Sequence, residues 1–159
     1  MTATPLRVLI LCTGNSARSQ IAEALLAHKG KGRFVVASAG SKPAARVNPF
    51  AIDVLRESGI DWTNRTPKGL DDVAEQRWDF VITVCDRARE ACPIFPGTPV
   101  LAHWGMPDPA EVEDEQARRI AFADTLTTLA RRIDLFLALP TEKLDRLRLQ
   151  ERVQSIGTA

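Results

Sequence analysis

Cys12 and Arg18 frame the stretch Cys12-Thr13-Gly14-Asn15-Ser16-Ala17-Arg18-Ser19-Gln20, which lies between the apolar run Val8-Leu9-Ile10-Leu11 and the helix-like run Ile21-Ala22-Glu23-Ala24-Leu25-Leu26. A strand that feeds a helix through a short polar turn aims backbone N–H groups and the positive end of the helix dipole into one concavity. Such a concavity holds a tetrahedral oxyanion. Cys12 falls at its floor and Arg18 reaches over its rim. A thiol beside a helix N-terminus and a guanidinium loses its proton readily, so Cys12 reads as a thiolate nucleophile aimed at a bound oxyanion. A cysteine at a strand end is most often inert packing, so the case rests on the intervening residues. Gly14 and Asn15 are the types that most easily take positive φ, as a loop curling round an anion requires. Ser16 and Ser19 bring hydroxyls, with Ser19 placed to donate to the sulfur. Strand, turn and helix in that order make Thr13 to Ser19 an oxyanion-binding loop.

Two further cysteines follow an apolar run. Trp78 to Val84 reads as a strand that leads directly into Cys85, and Cys92 closes the context Cys-Asp-Arg-Ala-Arg-Glu-Ala-Cys-Pro. Either could be a buried core thiol. Both lie on a polar, arginine-flanked segment, where nearby cations lower a thiol pKa and keep it accessible. The stretch His103-Trp104-Gly105-Met106-Pro107-Asp108-Pro109-Ala110 reads as a loop from its Gly and Pro. Asp108-Pro109 is also a common turn dipeptide. His103 has the chemistry of a ligand or a proton carrier, but reads rather as a support for this loop, because two histidines far apart make no metal site.

The remaining elements must bring these residues together. Leu6 to Leu11 is apolar on both faces, as a central parallel strand is. Ile21, Ala22, Leu25 and Leu26 give the next helix its buried side, and Gly30 and Gly32 close it. Phe34 to Ala37 is a second strand, ending in the turn Ser38-Ala39-Gly40-Ser41. Asn48 caps a helix with Pro49 at its first position, with a buried stripe of Ala51, Val54, Leu55 and Ser58. Leu70 to Ala74 is a short helix and Pro99 to Ala102 a fourth strand. Glu113 to Leu139 is a long amphipathic helix, with Phe122, Leu126, Leu129, Ile133 and Phe136 along one stripe. Strands alternating with helices predict an α/β fold: a single, three-layer domain with a four-stranded parallel sheet flanked by helices. Residues 1–140 form that domain, and 141–159 are a C-terminal tail, partly helical and read as solvated. Ligands of such sheets bind where the strands end. Cys12, Cys85 and the Asp108 loop all follow strands, so all three can meet at that edge.

At 159 residues, with 45% hydrophobic residues and a net charge of +1, the composition is that of an ordinary soluble globule. It argues against nucleic acid as the main partner. No apolar run has the length of a membrane span. The start Met-Thr-Ala-Thr-Pro carries no signal-peptide pattern, so a cytoplasmic location is expected. Three cysteines, an odd number, do not make a purely structural disulfide framework, and in a reducing compartment pairing cysteines are usually catalytic or redox-sensing.

Cys12-x5-Arg18-Ser19 resembles the phosphate-binding loop of the low-molecular-weight protein tyrosine phosphatases, whose fold is flavodoxin-like. The fuller string Cys-Thr-Gly-Asn-Ser-Ala-Arg-Ser-Gln resembles the arsenate reductases that share that fold. The resemblance covers nearly all of the chain, from the first strand through the long helix. It implies that Asp108 is a general acid protonating a departing oxygen. Phosphatases of this family usually carry a tyrosine after Asp-Pro; here Ala110 stands in that place and the chain has no tyrosine. His103-Trp104-Gly105-x-x-Asp108-Pro109-Ala110 resembles the reductase branch, and Cys85 with Cys92 resembles the redox pair of thioredoxin-coupled arsenate reductases. The resemblance thus implies a relay through Cys12, Cys85 and Cys92, fed by a thioredoxin-like reductant, with no cofactor and no catalytic metal. Some relatives bind potassium through side chains matching Asn15, Glu23, Ser38 and an aspartate. Lys68 stands at that last position, so its ammonium is expected to replace the ion and pair with Glu23. Two other readings stand beside this one: a phosphatase for phosphotyrosine or small phosphate esters, and a redox-sensing or regulatory protein that binds an oxyanion without turnover.

Overall fold

The first strand sets the architecture. In the computed structural model, which describes residues 4–159, β1 (Leu6–Cys12) lies between two partners and buries Val8, Leu9, Ile10 and Leu11 almost completely. The chain continues through α1 (Arg18–Lys29), β2 (Phe34–Gly40), α2 (Pro49–Glu57), a 3-10 turn (Leu70–Asp72), β3 (Phe80–Thr83) and α3 (Asp86–Glu90). After these come β4 (Val100–His103), a second 3-10 turn (Pro109–Glu111), α4 (Glu115–Leu137) and α5 (Arg146–Ile156). The four strands form one parallel sheet in the order β2-β1-β3-β4. The expected α/β fold, a four-stranded parallel sheet flanked by helices, is therefore what forms. No described helix is long and apolar enough to cross a membrane.

Helix burial follows the expected stripes. α1 buries Ile21, Ala22, Leu25 and Leu26. The Asn48 side chain caps α2 by accepting the Phe50 N–H, with Pro49 at the first position. α4 sends Phe122, Leu129, Ile133 and Phe136 into the core. The Phe136 ring meets Phe34, Phe80 and Trp104 at centroid distances of 5.3, 5.0 and 6.1 Å, separations at which aromatic pairs add to their area burial.

Four expectations are corrected. β2 does not end at Ala37: Ser38, Ala39 and Gly40 continue it, because β1 offers pairing partners as far as Cys12, opposite Gly40. Ser58 caps α2 on the solvent side and is exposed, so the buried stripe stops at Leu55. The segment from Leu70 tightens to a single 3-10 turn. Residues 146–156 are helical, but α5 is docked and not solvated. Val153 and Ile156 are buried, the Val153 carbonyl accepts the indole N–H of Trp104, and Gln150 and Gln154 bond the backbone of β4.

The strand order fixes the place of the site. From β1 the chain crosses one way to β2 and returns the other way to β3, so the crossovers diverge above the carboxyl end of β1. A crevice opens at such a reversal. Cys12 and Cys85 both stand there.

Candidate active site

The turn after β1 is held by bonds to its carbonyls from the segment that follows β2. The carbonyl oxygens of Thr13, Gly14 and Ser16 accept N–H bonds from Lys42, Ala44 and Asn48, at 2.9, 2.8 and 2.9 Å. These bonds tie the turn to the segment that precedes α2. Gly40 permits the close approach of β2 to the turn: a Cβ there would lie 2.9 Å from Asn15 N and nearer still to the Thr13 oxygen. Of the two residues expected at positive φ, Asn15 adopts it, at 50°, and Gly14 does not. The turn ends at α1, whose N-cap is Ala17, with no side chain capping it among the described residues. Its first amides remain free for an anion, and the dipole adds its positive end.

Cys12 is almost fully buried at the floor. Its sulfur lies 2.8 Å from Ser19 Oγ and accepts the Asn15 backbone N–H at 3.2 Å. Behind it runs a buried polar network. Asn15 Nδ2 donates to Ser19 Oγ and to Ser38 Oγ, both at 2.8 Å, and Ser38 donates to Glu23 Oε1 at 2.6 Å. Asn15 Oδ1 accepts from the Lys68 backbone N–H and from Gln20, whose own oxygen accepts the Trp62 indole N–H. Burial pushes the Glu23 carboxyl above its ordinary pKa; the Ser38 bond and then the charges of Lys68 and Arg65 partly offset it. The expected Lys68–Glu23 ion pair is corrected: among the described residues none forms within 4 Å. Lys68 instead acts through its backbone, donating to Asn15 and accepting from Gly40 N–H.

Arg18 opens α1 and points across the crevice, donating to the Met106 carbonyl at 2.9 Å and standing 3.7 Å from Asp108 Oδ2. The other Asp108 oxygen accepts the Ala110 N–H at 3.0 Å, which fixes the carboxyl at the start of its 3-10 turn. Thr13, Gly14, Arg18, Cys85, His103 and Asp108 all line one cavity of about 730 Å³. Cys85, at the N-cap of α3, lies with its sulfur 3.3 Å from Thr13 Oγ1. Cys92 is not brought to this crevice. It lines a separate cavity of about 250 Å³ with Arg89, His103 and Gln154. It is half-buried, and burial pushes its thiol pKa up, against the expectation that its arginine neighbours would lower it. His103 is tied to β3, α3 and α5. The ring bonds Thr83 Oγ1 at 2.7 Å and Asp86 Oδ1 at 2.9 Å, while its backbone N–H donates to Gln154.

The sequence does not reveal that the segment 41–48 closes on the turn after β1, nor the parts played by the side chains of Gln20 and Trp62. Segment 41–48 acts through backbone atoms and leaves no residue signature beyond its length. Gln20 follows Ser19 directly, and a long amide side chain in the first turn of a helix behind an anion loop is the one sign of it in the sequence.

A cysteine and an arginine on a strand–loop–helix turn, at the carboxyl edge of a 2-1-3-4 parallel sheet, define a phosphatase-type oxyanion fold. The chain belongs to the low molecular weight phosphotyrosine protein phosphatase family, whose profile matches residues 7–150. It is 36% identical over 130 residues to the arsenate reductase of Halalkalibacterium halodurans, covering 81% of this chain and 93% of that protein. It superimposes on a structure described as an arsenate reductase in the phosphate binding state with a TM-score of 0.64 and 25% identity, over 84% of this chain and 97% of the other. A Corynebacterium glutamicum protein described as a thioredoxin-dependent arsenate reductase matches with a TM-score of 0.60 and 36% identity, over 84% of this chain and 65% of that one.

Proposed function

We propose that this protein reduces arsenate to arsenite by passing electrons through Cys12, Cys85 and Cys92. The observation that carries the reading is the place of Cys85, a second thiol 3.3 Å from the loop residue Thr13. Ester hydrolysis has no need of it. Ala110 supports the same reading, because no aromatic side chain follows Asp108-Pro109 to hold a phosphotyrosine ring. The relatives named above as arsenate reductases support the reaction, arsenate reduction, and not its route.

In this mechanism the loop amides and Arg18 hold the arsenate oxygens and stabilise the charge that develops on them. The Cys12 sulfur attacks arsenic, and Asp108 protonates the hydroxyl that leaves as water. Cys85 then attacks the Cys12 sulfur. The S–As electron pair goes to arsenic, arsenite departs, and a Cys12–Cys85 disulfide remains. Cys92 attacks Cys85, freeing Cys12 and moving the disulfide to Cys85–Cys92. A dithiol protein of the thioredoxin type reduces that bond, each transfer being a thiol–disulfide exchange. Because Cys92 lines a different cavity from Cys85, the segment from Cys85 to Pro96 must shift for the third thiol to arrive.

The second reading, phosphate-ester hydrolysis, uses the same Cys12, Arg18 and Asp108 and leaves Cys85 and Cys92 idle. It is favoured by the family's description. One experiment separates the two: reduced protein is mixed with arsenate and no reductant, and its disulfides are mapped by mass spectrometry. The relay predicts arsenite release with a Cys85–Cys92 bond; Cys92→Ser traps Cys12–Cys85, and Cys85→Ser forms neither. Absence of any arsenate-dependent disulfide, together with aryl phosphate hydrolysis that Cys12→Ser abolishes, refutes the reductase reading.

A further inference from the structure

His103 stands where the two thiol cavities meet. It lines the cavity of about 730 Å³ that holds Cys85 and the cavity of about 250 Å³ that holds Cys92. Its side chain is 16% exposed, and both ring nitrogens are engaged, one by Thr83 of β3 and the other by Asp86 of α3. Gly105 keeps this space open, since a Cβ there would press on His103 Nε2. Asp86 follows Cys85 directly. Any movement that carries Cys85 onto Cys12 therefore draws Asp86 with it and withdraws the partner of Nε2.

We propose that His103 is the base that deprotonates Cys92 for the second disulfide exchange, released for that task when Cys85 and Asp86 leave their resting places. The inference rests on the three-cysteine reading above. Cys92 needs such help: burial holds its thiol above the ordinary pKa, and the sulfur donates to the Pro93 carbonyl at 3.6 Å. The ring is able to present a lone pair at Nε2 without moving. Thr83 Oγ1 accepts an Nδ1–H when it turns its own hydrogen to the Ala102 carbonyl, 3.5 Å away. In the step, the Cys92 proton passes to Nε2 and the sulfur electron pair bonds Cys85 Sγ. The Cys12–Cys85 bond breaks with its pair on Cys12, which is left as a thiolate, and His103 later gives its proton to solvent. No outside oxidant or reductant enters.

The other ionisable groups around the ring are Cys85, Arg87 and Arg89 from the α3 segment and Arg18, Asp108 and Glu111 across the larger cavity. α5 and the residues that follow it face the cavity with uncharged Gln154, Gly157 and Thr158. A thiolate forming at Cys92 thus meets one arginine in its own cavity, Arg89, and one base, His103.

The test follows a single turnover of wild type and His103→Gln with arsenate and no reductant, quenched by alkylation and mapped at a series of pH values. Released arsenite, which precedes this step, reports that the variant is folded. The expected result is a Cys12–Cys85 intermediate that accumulates in His103→Gln, its conversion slowed about 100-fold near neutral pH, the lower end of what a positioned base contributes. The gap should close as pH rises and Cys92 ionises unaided. Thr83→Val, which unties Nδ1, should show a smaller deficit of the same pH shape. Equal conversion rates, or a deficit that stays constant with pH, overturn the role of His103 while leaving the relay in place. A wild type that forms no arsenate-dependent disulfide overturns the relay and this step together.

Discussion

Replacing Gly40 by alanine sets one methyl group against the backbone of the oxyanion loop. Its Cβ would lie 2.9 Å from Asn15 N and from the Thr13 carbonyl carbon, and nearer still to the Thr13 oxygen. Ordinary contact begins at 3.4 Å, so Asn15 N must retreat by at least the difference, 0.5 Å, and Thr13 by more. That same N–H donates to Cys12 Sγ at 3.2 Å, and neither neighbour is a flexible side chain that could swing aside. Displacement of a nucleophile and its cradle on this scale costs roughly 100-fold in rate. The same overpacking costs only about 1–3 kcal/mol in stability, so the protein stays folded. Initial rates of arsenate reduction and of aryl phosphate hydrolysis, set beside urea unfolding midpoints, measure the two effects separately. A Gly40→Ala protein with kcat/KM within about twofold of wild type refutes the argument that this close approach shapes the loop.

Other outcomes follow from the buried network and from α5. Burial raises the Glu23 carboxyl, so the folded protein keeps a proton that the unfolded chain has already released. Stability therefore falls as pH climbs from the ordinary carboxylate value of about 4.3 towards the raised one. Glu23→Gln should lack that slope; parallel urea midpoints for the two proteins across this range refute it. Val153, on α5, is fully buried. Val153→Ala removes two methyl-sized groups at about 0.8 kcal/mol each and leaves a small cavity, a loss of about 2 kcal/mol. A change below about 0.5 kcal/mol, the range of ordinary surface substitutions, shows that α5 is not part of the cooperative core.

The loop from Cys12 to Ser19 could be located in the sequence because several local signals coincide there. An apolar strand, residues tolerant of positive φ and an amphipathic helix occur in the one order that builds an anion cradle. The sheet was legible for a similar reason, since a strand buried on both faces has few places to go. What escaped notice depends on distant backbone atoms. The pairing that draws β2 out to Gly40 is dictated by the length of β1, not by Ser38 or Ala39. Lys68 stands at a suggestive position, yet the useful group is its amide and not its ammonium. The docking of α5 was hidden because Arg146 to Ile156 alternates charges with apolar residues, and two buried side chains leave only a faint periodicity. Cys92 shows the limit of inference from neighbouring residues: the arginines are present in sequence, but the thiol turns into a partly closed cavity.

Gln150 and Gln154 have a consequence beyond holding α5 in place. β4 is the outermost strand on its side of the sheet, and its free backbone groups at Leu101 and His103 are taken up by these two amides. Two residues of strand span about 6.6 Å and four residues of helix about 6 Å, so one helical turn matches one repeat of the edge. The glutamines thus imitate a neighbouring strand without being one. An open edge is a template for another chain, and here the template is already filled. Loss of α5 would do more than subtract packing energy: it would leave a row of unpaired backbone groups beside exposed Leu101, a surface suited to self-association.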